Sequence, residues 1–519
     1  MQFLSVLVFL LLCSVGLGWL ARRAGVPYPI ALVIGGGAVG FVPGLPQLEF
    51  DPQFLLVLVL PPILYQAALL TSWRDFKANL RPIAMLAIGL VIVTTLAVGA
   101  TLKFLVPDLP WAVAFIFGAI VSPPDAVAAT AILSRLNMPR RIVTVLEGES
   151  LVNDASGLVI YKFAVAAVLT GVFSLTDAAL QFGAVSLGGI VIGMAIAWLF
   201  IRIHPHLGDA FIEVLMSMAA PYVAYILAES VHASGVLAVV AAGLFRGRFS
   251  PKIVSAEMRI LARSVWNILV FLLNSLIFML IGMQLSTITA RLSGYTAQQL
   301  ALWSICVSAV AILVRILWVF PATWIPRWIS RSLREREPAP PNRELFIEAW
   351  CGMRGIVSLA AALALPVTIQ SGAPFPHRDL IVFLTFVVIL VTLVGQGLTL
   401  APLIMRLRLT SDSSIADEER HARSDMGRAA IAAVESAAAG GHLSAEVVAR
   451  VRAEFAERLA LAAADASTGA VEAGQARDLR IAAIRAERRE LIRVWQENHI
   501  SDDVLHDLEE ELDYQESRL

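Results

Sequence analysis

The chain of 519 residues is 58% hydrophobic and 16% charged, with a formal net charge of -1 and a mean hydropathy of +0.75. A soluble domain carries about 25% charged residues, so this composition excludes one and makes lipid the expected solvent. The near-zero net charge gives no general polyanion-binding footprint, and nucleic acid is not an expected partner.

Apolar runs of roughly 20 residues cross a hydrocarbon core. They fall near 2–20, 27–44, 53–71, 82–105, 111–133, 148–171, 178–202, 210–229, 231–246, 265–285, 298–323, 345–367 and 379–405. They predict an all-α polytopic membrane protein with about thirteen transmembrane helices. The first run has no basic residue ahead of it and Arg22 and Arg23 behind it, the reverse of a cleavable signal peptide, so it is expected to stay as an anchor.

Basic residues accumulate on the cytoplasmic side of a membrane. Here Arg22 and Arg23, then Arg74, Lys77 and Arg81, then Arg135, Arg140 and Arg141, then Arg202 occupy alternate connections. Arg246, Arg248, Lys252, Arg259 and Arg263 continue the series, as do Arg327, Arg331, Arg334, Arg336 and Arg343. The intervening connections hold only Glu49 and Asp51, Asp108, Arg291, and His377 with Arg378. This alternation predicts an N-terminus outside and a C-terminus in the cytoplasm, with residues 1–406 as the transmembrane domain. Residues 407–519 are charged and Ala-rich, and read as a helical cytosolic tail in which Leu505, Leu508 and Leu512 share a face. Such a tail is either a solvated appendage or a regulatory or dimerising domain.

Cys13, Cys306 and Cys351 lie far apart in apolar stretches with no metal or redox spacing. His204 and His206 beside Arg202 read as a solvated helix end. Gly36 with Gly40, and Gly189 with Gly193, make small-xxx-small spacings for close helix packing or a dimer seam.

A carboxylate at membrane depth costs about 2.5 to 3.5 kcal/mol and so needs a partner or a purpose. Asp125, in Ser122-Pro123-Pro124-Asp125, and Asp154, in Gly148-Glu149-Ser150-Leu151-Val152-Asn153-Asp154, are such residues. Helical spacing puts Ser150, Asp154, Gly157 and Tyr161 on one stripe and Glu149 and Asn153 on the next. Oxygen donors of this kind suit a hard cation; a helix cap or a buried salt bridge is the other reading of Asp154. Pro123 and Pro124 are expected to break the fifth span, with Asp125 free to cap the second half-helix. Cys351-Gly352-Met353-Arg354-Gly355 interrupts the twelfth span, seven spans later, which suggests inverted repeats whose two broken helices meet at the midplane. Arg354 is expected either to compensate Glu149 or to offset helix-end dipoles. Arg315, Glu213 and Glu229 are weaker candidates.

Leu60-Pro61-Pro62-Ile63-Leu64, the Ser-Pro-x-Asp break at 122–125, Gly148-Glu149-Ser150 with Asn153-Asp154, Pro221-Tyr222 followed by Ser234-Gly235-Val236, and Gly352-Met353-Arg354-Gly355 occur in an order that resembles the monovalent cation/proton antiporter family, in its NhaP and sodium/hydrogen exchanger (NHE) branch. The resemblance covers about residues 1–405. It implies a core that moves against a dimerisation domain and a homodimer in the plasma (inner) membrane of a bacterium. It also implies electroneutral exchange of one Na+ for one H+ that serves pH and sodium homeostasis. Carried onto this chain, Asp154 is the shared cation and proton site, Asp125 and Ser150 are ligands, Asn153 braces the break, and Glu149 pairs with Arg354. Two positions depart from the family: Pro124, where many members have Thr, and Gln66, where bacterial members often carry Glu.

The expected mechanism is competition, in which Asp154 holds a proton or shares a cation with Asp125 and Ser150. No cofactor is called for, no GxxxxGK[ST] motif suggests nucleotide hydrolysis, and the chain reads as a secondary transporter rather than an enzyme. A K+/H+ antiporter is the nearest alternative and a gated cation channel the alternative from another class.

Overall fold

The computed structural model describes residues 2–42, 52–133, 136, 138–171, 175–290, 292, 294–337, 339–369, 372–409, 413–439, 444–463, 469–497 and 502–517. Glu49, Asp51, Arg135 and Arg291 of the charge alternation lie outside these residues. The chain divides into two compact units, Met1–Ser411 and Asp412–Leu519.

In the first unit, Pro27, Pro110, Pro139 and Pro341 each stand directly before a helix, where a missing N–H removes no intrahelical bond. The helices are α1 (Gln2–Ala24), α2 (Tyr28–Gly40), α3 (Pro52–Leu70), α4 (Leu80–Leu105), α5 (Trp111–Val121), α6 (Ala126–Leu133), α7 (Arg140–Thr170), α8 (Leu175–Ile203), α9 (Ala210–Ser230) and α10 (Gly235–Ile253). They continue with α11 (Ala256–Ala290), α12 (Ala297–Ile329), α13 (Asn342–Trp350), α14 (Ile356–Leu363) and α15 (Arg378–Leu407). By length and composition, eight helices among the described residues can cross a membrane, the segment formed by α5 and α6 counting as one. The other five expected spans are helical too, in α1, α2, α3, α10 and the pair α13 and α14.

Both glycine pairs act in packing within the chain. A side chain at Gly36 or Gly40 would strike the Met279 or Met283 carbonyl of α11, and one at Gly189 or Gly193 would strike the Ser234 or Ala238 carbonyl. Two wide helical turns, Met85–Leu90 in α4 and Val391–Gln396 in α15, free backbone groups that need outside partners. The Trp318 indole supplies one by donating to the Met85 carbonyl at 3.0 Å.

His204 is not a solvated helix end. It is fully buried, with Nδ1 3.5 Å from a Glu213 carboxylate oxygen, while His206 is exposed. The His204 ring is covered by the packing around Glu213, a proximity that sequence distance hides.

The second unit contains α16 (Ser413–Ala439), α17 (Ala445–Ala463), α18 (Gly469–Gln496) and α19 (Asp502–Ser517). Leu505 and Leu512 are buried with Ile484 of α18, whereas Leu508 is 40% exposed, so the expected three-residue stripe is two residues wide. Arg488 reaches Asp513 at 2.7 Å and Glu516 at 2.9 Å, which ties α18 to α19.

Candidate functional site: a crossing of two broken helices

Pro123 and Pro124 end α5, and α6 starts afresh at Ala126. Five residues after the end of α13 at Trp350, Gly355 stands at the N-cap of α14. The two breaks bond to each other. Asp125 donates its N–H to the Met353 carbonyl at 2.7 Å, and the Arg354 guanidinium donates to the Ser122 carbonyl at 2.8 Å. Backbone that leaves a helix at membrane depth must be satisfied by protein, and here each break satisfies the other.

The Asp125 carboxylate accepts from the Val127 N–H at 2.8 Å and from the Ile356 N–H. Val127 lies in the first turn of α6 and Ile356 in the first turn of α14, so the positive ends of both half-helices converge on one carboxylate. Gly355 makes this possible, because a Cβ at that position would overlap the Asp125 carboxylate.

α7 crosses behind the first break. The Asn153 amide donates to the Pro124 carbonyl at 3.0 Å, and the Ser150 hydroxyl accepts from the Ala126 N–H at 3.4 Å. Gly157 leaves room for the Pro123 ring. Asp154 is buried at 6% exposure and lies within electrostatic reach of Asp125. Among the described residues, no lysine or arginine pairs with either aspartate. The structure therefore gathers Asp125, Asp154, Ser150, Asn153 and Pro124 in one place.

Glu149 and Arg354 are not paired as expected. Glu149 is held by Arg315, whose two terminal nitrogens reach its two carboxylate oxygens, Nη2 to Oε2 at 2.7 Å. Arg315 also donates to the Glu348 carbonyl at 3.1 Å. Arg354 instead takes the Ser122 carbonyl at the C-terminal end of α5, where a cation offsets the negative helix end, and its N–H donates to the Thr392 hydroxyl at 3.0 Å. Geometry decides this exchange of partners: Arg315 projects from α12 in a fork that matches the carboxylate. Arg315 carried the signal in the sequence, since a lone arginine in an apolar span needs an acid.

Sequence reasoning missed Tyr28 and Asn274. Tyr28 of α2 is hydrogen-bonded to Asn274 of α11 and lies within electrostatic reach of Asp125. No apolar-run or motif signal marks them. The amide of Gln66, the second departure, donates to Asn267 at 3.3 Å.

The sodium/hydrogen exchanger transmembrane family matches residues 7–406. An uncharacterized Na(+)/H(+) exchanger of Mycobacterium tuberculosis is 34% identical, over 99% of this chain and 96% of its own length. A sodium, potassium, lithium and rubidium/H(+) antiporter of Bacillus pumilus is 35% identical over 71% of this chain and 56% of its own. In structure, the sodium proton antiporter MjNhaP1 of Methanocaldococcus jannaschii matches with a TM-score of 0.61 and 22% identity, covering 78% of this chain and 99% of its own, a likeness of fold. The chain is an integral membrane protein of the sodium/hydrogen exchanger family.

Proposed function

We propose that this chain exchanges Na+ for H+ by letting the two compete for Asp154, with Asp125 and Ser150 completing the oxygen set. The observation that carries this reading is the buried Asp154 beside the partly buried Asp125, with no basic partner for either among the described residues. Two such charges in a low-dielectric interior favour a bound proton or a bound cation, and each opposes the other. The empty, doubly charged site crosses the apolar barrier poorly, whereas either loaded form lowers that penalty. Coupling then needs no nucleotide.

Asn153 braces the break through the Pro124 carbonyl and adds no charge, which supports one-for-one, electroneutral exchange. The reciprocal bonds between the breaks support two inverted repeats, spans 1 to 6 and 8 to 13 of a thirteen-span domain over residues 1–406. The basic connections support an N-terminus outside and a cytosolic tail over residues 407–519. A homodimer in a bacterial inner membrane, serving pH and sodium homeostasis, completes the reading.

A second reading admits K+, Li+ or Rb+ as the exchanged ion, as the name of the Bacillus pumilus relative states for that protein. Proteoliposomes with an internal pH dye separate the two. Na+ pulses are expected to give dye recovery that Asp154→Asn loses, and equal recovery on Li+ or K+ pulses would favour the second reading. Unchanged exchange in that variant would remove Asp154 from its role, and current without proton movement would indicate a channel.

A further inference from the structure

Away from the crossing, α12 and α15 enclose a groove of about 800 Å³. Leu300, Ile305 and Ile312 line it from α12, and Phe383, Val387 and Val391 from α15. At the end where both helices begin, Leu292 and Tyr295 are shared with a second, polar cavity of about 450 Å³ that is lined by His377, Arg378 and Asp379. The Tyr295 hydroxyl and the His377 Nδ1 are 2.8 Å apart. Arg378 donates to the Leu363 and Leu365 carbonyls at 2.9 and 3.0 Å, at the end of α14.

We propose that these joined cavities bind one zwitterionic glycerophospholipid of the ethanolamine class. The length fits: Leu300 to Ile312 spans twelve helical steps, about 18 Å at 1.5 Å each, and one leaflet of the hydrocarbon core is about 15 Å deep. An acyl chain entering beside Tyr295 runs down this groove toward the bilayer midplane.

The headgroup chemistry fits as well. Arg378 and His377 offer donor groups to a phosphate, and the Asp379 carboxylate, half exposed and 4.0 Å from the Arg378 guanidinium, has an open side for the ammonium of the same headgroup. A lipid without that ammonium would meet Asp379 as a repulsive neighbour. Because Arg378 also holds the end of α14, the second half of a broken helix, the bound phosphate steadies the helix whose first turn caps Asp125.

Native mass spectrometry of the detergent-purified full chain, titrated with phosphatidylethanolamine, phosphatidylglycerol or a free fatty acid, tests this. One phosphatidylethanolamine per chain is expected to bind ahead of the other two. Ala301→Trp and Ala309→Trp, at exposed alanines on the groove wall, are expected to weaken it about tenfold. Asp379→Asn leaves the groove intact and is expected to erase the preference over phosphatidylglycerol. Equal wild-type binding of phosphatidylglycerol or fatty acid would overturn the proposal, as would undiminished phosphatidylethanolamine binding in both tryptophan variants. Lipid binding is read without transport, so its failure leaves the antiport reading standing.

Discussion

Glu149 and Asp154 stand five residues apart on α7, and both are buried, yet their surroundings are opposite. Glu149 is clasped by both ends of the Arg315 guanidinium. Asp154 faces Asp125, another acid, with no base paired to either among the described residues. Depth in the membrane is common to all of them, so depth alone does not mark an exchange site. What separates a structural acid from a transporting one is compensation: an arginine already supplies the charge that Glu149 requires, whereas the aspartates still require a proton or an ion.

This contrast is broken most directly by Asp154→Asn. Removing the charge that cation and proton share is expected to abolish ion-driven dye recovery in proteoliposomes while the protein purifies and unfolds as the wild type does. Next comes Arg315→Leu, which strands the Glu149 charge. Breaking a buried ion pair from one side costs about 3 to 5 kcal/mol, so a marked fall in the thermal unfolding midpoint is expected. The double variant Glu149→Leu with Arg315→Leu should recover much of that stability. If the single variant kept its stability and lost only transport, Glu149 would belong with the exchanging acids.

Much of this was legible in the sequence, and the reason is local. Pro123, Pro124 and Gly355 dictate broken helices by their own backbone chemistry, and the stripe of Ser150, Asp154 and Gly157 follows from helical periodicity, so the crossing and most of its side chains were predictable. Partner choice was not. Whether Glu149 meets Arg315 or Arg354 depends on how α12 and α14 pack against α7, a relation between segments more than 150 residues apart. His204 failed for the same cause, since its neighbour Glu213 sits across a turn that reads as solvent-facing. Tyr28 and Asn274 reach the site from helices that carry none of the charged or proline-break motifs.

Smaller changes sharpen the contrast instead of breaking it. Gly355→Ala is expected to displace the Asp125 carboxylate, because the new methyl overlaps it, and so to lower the exchange rate with little effect on the Glu149 pair. Ser150→Ala deletes one neutral oxygen from the charged site. About tenfold weaker apparent affinity for Na+ is expected, equivalent to about 1.4 kcal/mol, with the maximal rate kept. In both the wild type and this variant the apparent Na+ affinity should fall as pH falls, since protons and Na+ contend for one carboxylate. An affinity independent of pH across the working range would overturn competition itself.

The smallest expected effect belongs to Pro124→Thr. The Pro124 carbonyl already accepts from Asn153, and that bond survives the change, because a backbone carbonyl is common to both residues. What the threonine adds is a hydroxyl beside Asp125, one more oxygen for a cation that has shed water. A net hydrogen-bond-sized gain of about 0.5 to 1 kcal/mol corresponds to a two- to fivefold lower apparent KM. The gain should be larger for Na+ and Li+ than for K+, because a small ion held close draws more from each added ligand. Measured side by side for the three ions, equal shifts would mean that position 124 shapes the break without touching the ion, and the selectivity of this chain would then rest on Asp125, Asp154 and Ser150 alone.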